Sequence, residues 1–525
     1  MVEHARVRDM IRHSAPLLAT LLALILLWAP LPFGGVTPWA AALLAALCGG
    51  ALLLAATALE RPAALRPAVL PAAALAALAL LGLLQAAPLP AGLVAALSPE
   101  HARLERQAAK LGAPAPGPSD QPSGRPGEPA RLTLAAAPTR GAALGWAAAA
   151  AAFLAAAVAG QRREHRRWLA GALLAGALFQ VLFGARDWFA RATSLWGVEL
   201  HASATRLRGT FVNPNHLAVY LEMALPVAFA WSWWAARRAR DQQQLERRLL
   251  LVVPPAMLWL TLFAGLSFTG SRGGLLAAVV AVAVQGVLAA GLRRSWWLAP
   301  LGAVVALSGL AVVAAIGRQE GLGRLLATSA ADGSWSARLL EYRAALGLWP
   351  RFPFTGSGLG TFRDAFPLVQ PMELHGTWWH PHGDVLEVLV TAGLVGTALL
   401  AAGLWGVARR LVAVLRQGNR SEDRAAALAA LGVLISLGIH ENLDFGLSMP
   451  GNAVTLAALL GAVTLAKTRQ SSAQLDAAGQ DLAAVQAVEL EQVEPGGERR
   501  RQPQHRRRSG HGAHRKSAQG GAVEP

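Results

Sequence analysis

The sequence predicts an all-α fold, a polytopic transmembrane helical bundle of about 12 spans with a large external loop between spans 9 and 10. Three observations predict it. Of 525 residues, 54% are hydrophobic and only 15% charged, and the mean hydropathy is +0.38, a balance that water-soluble globular chains do not carry. Apolar runs of about 20 residues, each long enough for a hydrocarbon core of roughly 30 Å, recur from near the N-terminus to residue 466. Ala, Leu and Gly fill these runs without alternating polar residues, which excludes a barrel and leaves helices as the spanning structure.

In chain order, the runs start near residues 17, 38, 68, 141, 168, 215, 249, 274, 296, 385, 425 and 452. The first, Leu17 to Ala29, follows Arg6, Arg8 and Arg12 but has no small-x-small cleavage site, so it reads as a span rather than a signal peptide. The single cysteine, Cys48, lies inside an apolar run and has no intrachain partner. With the N-terminus inside, the cytoplasmic connections hold Arg61 and Arg66, QRREHRR (161–167), RRARDQQQLERR (237–248), Arg293 and Arg294, and RRLVAVLRQGNR (409–420). All are basic, as the positive-inside rule requires, and they explain most of the net charge of +17.

The opposite face receives LPFGGVTPW, a stretch from about 88 to 140, the segment from Arg186 to His216, TGSRGG, a loop of about 317–384 and HENLDFGLSMPGN. The polytopic domain therefore runs over 1–466. Residues 112–130, rich in Pro and Gly, read as a flexible external insert. Residues 467–525 read as a disordered basic cytoplasmic tail. It lacks interleaved aromatics and a folded module, so its expected partner is anionic membrane lipid rather than nucleic acid.

All the unusual polar motifs fall on the external face. In RGTFVNPNHLAVYL, Asn213 or Asn215 can cap the helix that begins near His216, and the capped N-terminus presents free N–H groups to an anion. In SFTGSRGGLLA, Arg272 sits in a short hairpin between spans, where a guanidinium costs up to roughly 3 kcal/mol unless it pairs or faces water. In SARLLEYRAALGLW, helical spacing puts Arg338 and Tyr342 on one face and Leu339 and Leu346 on another. GSGLGTF lacks the strand and helix of a dinucleotide fingerprint and reads as turns. In WWHPHGDVLEVLV, Asp384 and Glu387 form an expected capping box, with His380 and His382 just before it. His-x-His with Asp384 resembles part of a zinc site, but no third ligand has convincing spacing, so no metal is expected. An imidazole there can instead take a proton from an acceptor hydroxyl. His440, Glu441 and Asp444 cluster at the outer end of span 11.

Taken together and in order, GTFVNPNHLAVYL, TGSRGGLLA, SARLLEYRAALGLWPRFPFTGSGLGTFRDAFP, HPHGDVLEVLVTAGLVG and HENLDFGLSMPGNA resemble the O-antigen ligase-like superfamily over residues 208–465. The resemblance implies a GT-C-like bundle in the bacterial inner membrane, with the active site facing the periplasm. It implies a metal-independent, inverting glycosyltransferase without cofactor that takes a glycan from an undecaprenyl-diphosphate-linked donor. The implied acceptor is a hydroxyl of lipid A core, a glycan or a protein. It implies Arg272, Arg338 and His382 as catalytic residues. Asn213, Asn215, His216, Arg208, His380, Tyr342, Arg343, His440 and Asp444 form the expected substrate-binding set. The family pattern has asparagine after the histidine, where this chain has Gly383, and His380 is a candidate to take over its orienting role. Two rival functions remain: a polymerase extending a lipid-linked polysaccharide, and a transporter without catalysis. Against the transporter, its ionisable groups belong near the midplane and often in repeated halves, whereas here the candidate groups cluster at one outer face and no internal repeat is seen.

Overall fold

The computed structural model describes residues 2–59, 62–110, 130–200, 205–291 and 333–468. The expected span near residue 296, nearly all of the external insert, the outer loop up to residue 332 and the tail beyond residue 468 lie outside the described residues. The chain divides into two units, Met1–Gln470 and Ser471–Pro525, and only the first is described below.

Its helices are α1 (Val2–Trp28), α2 (Pro38–Ala58), α3 (Arg66–Ala86), α4 (Ala91–Leu97), α5 (Pro99–Lys110), α6 (Ala136–Ala159), α7 (Arg163–Phe189), α8 (Pro214–Ala239), α9 (Leu245–Phe268) and α10 (Arg272–Gly291). They continue as α11 (Gly333–Leu346), α12 (Phe362–Ala365), α13 (Asp384–Gln417), α14 (Ser421–His440) and α15 (Pro450–Thr464). Among the described residues, nine helices are long and apolar enough to cross a membrane, and Ser14–Trp28 and Pro450–Thr464 are shorter apolar helices beside them. The protein is a multi-pass helical membrane protein. Helices α6 and α7 begin earlier than the apolar runs suggest, because backbone bonding continues through polar residues beyond the hydrocarbon, whereas hydropathy marks only the greasy middle.

One small departure from all-α is a two-stranded antiparallel hairpin, β1 (Ser194–Leu195) and β2 (Val198–Glu199). Trp196 and Gly197 at its tip both have positive φ, 52° and 79°, the backbone of the tight turn that matches strand twist.

Helix α6 lies in the middle of one core, against α2, α3 and α15. Its run of buried alanines, Ala148 to Ala152, lets neighbouring backbones approach closely, the packing that replaces hydrophobic drive between helices in lipid. At the α6–α15 crossing a Cβ on Gly461 would stand 2.2 Å from the Phe153 carbonyl oxygen. A second core joins α7, α8, α9, α10 and α14 around the fully buried Tyr220. Gln285 of α10 donates its amide to Pro226 O of α8 at 3.2 Å and Leu428 O of α14 at 2.9 Å, tying three helices where no water competes.

The bundle has two chemically different ends. At one, the starts of α7 and α14 meet through Arg163, Arg166 and Asp423, and Gly418 after α13 bridges to Thr468 after α15. At the other, the starts of α8, α10 and α13 meet the end of α14, and the described part of the outer loop folds over them. That part packs Ala345, Leu348, Phe362, Phe366 and Leu374 into a small core that Val390 of α13 completes.

The loop is fastened to the bundle at a break in α13. Gly393 has φ 63° and ψ −165° inside that helix, a conformation open to glycine and costly for other residues. The Leu394 and Val395 amides freed by the break donate to Pro353 O (2.9 Å) and Phe354 O (3.2 Å). On the other side Ser357 N and Gly358 N donate to Val390 O and Thr391 O, both at 3.0 Å. Gln85 of α3 completes the joint, donating to Thr355 O (2.6 Å) and Thr391 O (3.1 Å) and accepting from Leu359 N (2.9 Å). The glycines of GSGLGTF are therefore docking turns: a Cβ at Gly356 would meet the Thr391 carbonyl at 2.2 Å. Gly393→Ala is expected to destabilise the protein by about 1–3 kcal/mol. A thermal melt of the detergent-solubilised variant, with limited proteolysis of the outer loop, checks this.

Candidate functional site

The site is organised by the turn that leaves α14. A helix end buried at a polar junction must have its carbonyls and side chains satisfied by neighbours, and here the neighbours come from four other segments. Burial of His440, Glu441 and Asp444 shows that this helix end is packed rather than hydrated.

From α8, Asn213 accepts a hydrogen bond from Asn215 N (2.9 Å), so it is the N-cap, with Pro214 at the first position. Asn215 faces the turn: its amide donates to Asp444 Oδ2 at 2.5 Å, and its Oδ1 accepts from Arg206 Nη2 at 2.7 Å. Arg206 also donates to Thr269 O (2.6 Å), joining the α8 entrance to the α9–α10 hairpin. The buried His216 ring lies edge-on to Phe445, with centroids 5.0 Å apart.

The α9–α10 hairpin brings Arg272 to the same end. Ser271 Oγ lies 3.3 Å from His440 Nε2, and a Cβ on Gly273 would meet the His440 ring at 2.8 Å. The small residues around Arg272 thus let the start of α10 close onto the turn. On its other side His440 Nδ1 stands 2.7 Å from Glu222 Oε1, and Ser436 Oγ donates to Glu222 Oε2 at 2.7 Å. Glu222 is a fully buried carboxyl in the middle of a spanning helix.

Helix α11 lies over the turn from outside. Arg338 donates to Leu443 O at 3.1 Å and has Nη2 3.9 Å from Asp444 Oδ2. One helical turn later the Tyr342 hydroxyl reaches the carbonyl oxygens of both Asn442 and His382. Burial, with the nearby Glu341 charge, pushes that phenol up to about 12. Arg343 is exposed and faces a groove of about 310 Å³ lined by Tyr342, Leu346, Val385, Leu386 and Leu389.

The segment before α13 supplies the imidazoles. His382 Nδ1 is 2.9 Å from Glu341 Oε2, and its ring stands edge-on to Trp378 (5.5 Å) and Phe445 (5.2 Å). Its φ of 45° is in the left-handed region, a conformation held by its surroundings and concentrated at functional sites. Burial raises the Glu341 carboxyl above the usual carboxylate range, and the His382 hydrogen bond opposes that rise. His380 stacks on Phe445 at 4.6 Å and meets Glu387 Oε2 at 2.8 Å. Burial pulls its pKa down, but the charge and hydrogen bond of Glu387 outweigh it, leaving His380 above the ordinary histidine value.

Gly383 is also explained: a Cβ there would stand 2.7 Å from the Tyr342 hydroxyl, so a side chain and the Tyr342 tether exclude one another. The capping box expected from Asp384 and Glu387 is not formed. Gly383 is the N-cap without a side-chain bond. Asp384 instead accepts from Leu447 N and Ser448 Oγ, both at 2.8 Å, and Glu387 serves His380. The competing partners in the 446–448 turn and the His380 ring are charged or better placed donors than the helix's own first amides. Glu441 accepts from Gly446 N (3.0 Å), and burial first, then the neighbouring Asp384, lift its carboxyl well above the usual range.

Of the expected residues, Asn215, Arg338, Tyr342, His380, His382, His440 and Asp444 touch the turn or its partners, His216 packs against Phe445, and Arg272 begins the helix seated on His440. Asn213 is a cap. Arg208 lies apart, donating to Ala192 O at 3.0 Å near the end of α7. Arg343 faces the groove. Sequence reasoning missed Glu222, Glu341, Arg206 and Phe445. Glu222 carried a usable signal, since a carboxylate inside an apolar span demands a reason. Among the described residues no group of three or more His, Cys, Asp or Glu is arranged to hold a metal ion.

Residues 256–401, from within α9 to within α13 and including Arg272, Arg338 and His382, match the family model described as O-Antigen ligase. No curated protein matches the chain.

The His380–Glu387 contact sets a pH dependence. A histidine raised in the folded state stabilises the fold below its unfolded pKa of about 6.5, and that contribution is lost as pH rises through the folded value. The melting temperature of the wild type should therefore exceed that of His380→Gln most below about pH 6.5. The two should converge toward alkaline pH in a melt series.

Proposed function

We propose, from the match of residues 256–401 to the O-Antigen ligase family model, that the protein is a membrane glycosyltransferase. It moves a glycan from an undecaprenyl-diphosphate-linked donor to an acceptor hydroxyl on the periplasmic face of the bacterial inner membrane. The domain itself indicates an enzyme of the glycosyltransferase or ligase type. The observation that carries the finer reading is the arrangement around the α14 turn. Two arginines, Arg338 on α11 and Arg272 at the head of α10, flank the same turn as an imidazole whose Nδ1 is held by a buried carboxylate at 2.9 Å.

The chemistry follows from that arrangement. With Nδ1–H donated to Glu341, the Nε2 lone pair of His382 is the basic nitrogen. It takes the proton of the acceptor hydroxyl while that oxygen attacks the anomeric carbon. The bond from the anomeric carbon to the diphosphate oxygen breaks, and configuration inverts. Arg272 and Arg338 neutralise the charge growing on the departing polyprenyl diphosphate by charge-assisted hydrogen bonds, a role that needs no metal. Asp444, accepting from Asn215, holds Arg338 in place, and His380, held by Glu387, orients the acceptor.

The test uses the purified full chain with a polyprenyl-diphosphate-linked oligosaccharide and an acceptor glycan, with chelator present. Transfer product is expected. Arg272→Ala or Arg338→Ala should lower the rate by about 100-fold or more, and His382→Ala and Glu341→Gln by at least about 100-fold, with each variant folded and membrane-inserted. Activity retained in all of these variants would remove the assigned roles. Activity lost in chelator alone would remove the metal-free mechanism.

A further inference from the structure

The end of the bundle away from the α14 turn carries a cavity that the transfer reaction does not use. It has a volume of about 350 Å³ and is lined by Arg162, Arg163, Arg166, Arg167, Arg420 and Lys467 against only three carboxylates, Glu164, Glu422 and Asp423. Two of the three acids are already paired with arginines. The buried Asp423 is shared by Arg163 (Nη2 to Oδ2, 2.8 Å) and Arg166 (Nη2 to Oδ1, 2.5 Å), while Glu422 pairs with Arg167 at 2.6 Å. One carboxylate between two guanidiniums leaves positive charge over. Arg166, itself buried, also donates to Gly160 O. The inner wall, Arg163 and Arg166 on the buried Asp423, is thus fixed at the helix starts. Arg420 and Lys467 are exposed at its rim, on the two segments that the Gly418–Thr468 bridge brings side by side.

We propose that this cavity is a binding site for a phosphate anion presented by a membrane phospholipid headgroup. Guanidiniums fixed in a wall recognise phosphate oxygens bidentately, and basic pockets between spanning helices at a membrane face take anionic headgroups. The level is right for a lipid. Trp168, next to Arg167 on α7, is 47% exposed, the position of an interfacial aromatic anchor. The apolar part of α7 begins there. A headgroup seated between the starts of α7 and α14 would brace α14, whose far end is the turn on which the candidate site is built.

The experiment measures thermal stability of the purified full chain in neutral detergent while phosphatidylglycerol, phosphatidylcholine or inorganic phosphate is added in turn. It compares the wild type with the double variant Arg420→Gln/Lys467→Gln, which leaves the ion pairs of Asp423 with Arg163 and Arg166 in place. The basic tail is the same in both proteins, so the difference between them reports the cavity. Phosphatidylglycerol should raise the wild-type melting temperature and phosphatidylcholine should not. The double variant should need on the order of tenfold or more phosphatidylglycerol for the same shift. A shift of equal size with inorganic phosphate, lost in the variant, would keep the anion site and overturn the lipid as its source. Equal responses of wild type and variant to every addition would overturn the site itself. Because stability is the readout, failure here is distinguishable from failure of the transferase assignment, and the inference stands whether or not that assignment does.

Discussion

The structure depends on a polar turn that a membrane protein can keep only if every neighbour contributes to it. At the end of α14 the chain presents the carbonyls of Asn442 and Leu443 and the buried carboxyl groups of Glu441 and Asp444 where the bundle meets the outer loop. Each is answered by a group from another element: Asn215 from α8, Arg338 and Tyr342 from α11, and backbone amides of the 446–448 turn. Unanswered, these groups would each cost free energy of order 1–3 kcal/mol. The need to satisfy them positions the residues around the turn without any further device.

Electrostatics then divides the labour. Asp444 faces Asn215 and Arg338, Glu341 faces His382, and Glu387 faces His380. Each imidazole has its own carboxylate, so the two histidines are not interchangeable: His382 is held from the loop helix α11 and His380 from the spanning helix α13. Phe445 stands between their rings and against His216 as well, an apolar spacer that fixes ring planes.

Much of this was legible in the sequence and some was not, for physical reasons. Span positions follow from apolar run length, and the two ends of the bundle follow from arginine placement, because lipid allows few alternatives. An asparagine cap was legible from Asn and Pro before an apolar run, but the sequence left Asn213 and Asn215 as alternatives, and only the fold decides for Asn213. The capping box at Asp384 was misread because local spacing cannot know that Leu447 and Ser448 arrive from far along the chain. The same holds for Arg208, whose proximity in sequence to Asn213 did not put it at the site. Glu341 was passed over between two basic neighbours, since its role depends on a partner that only folding supplies.

The break at Gly393 carries a consequence for how such proteins can diversify. The outer loop and the α13 span share backbone hydrogen bonds across the Pro353–Gly358 strap, with Gln85 of α3 clasping both. Loop and span are therefore one inheritable module. A loop grafted from elsewhere would leave peptide groups bare at the depth of the break, so a new outer loop can come only with the strap, the split helix and its glutamine together.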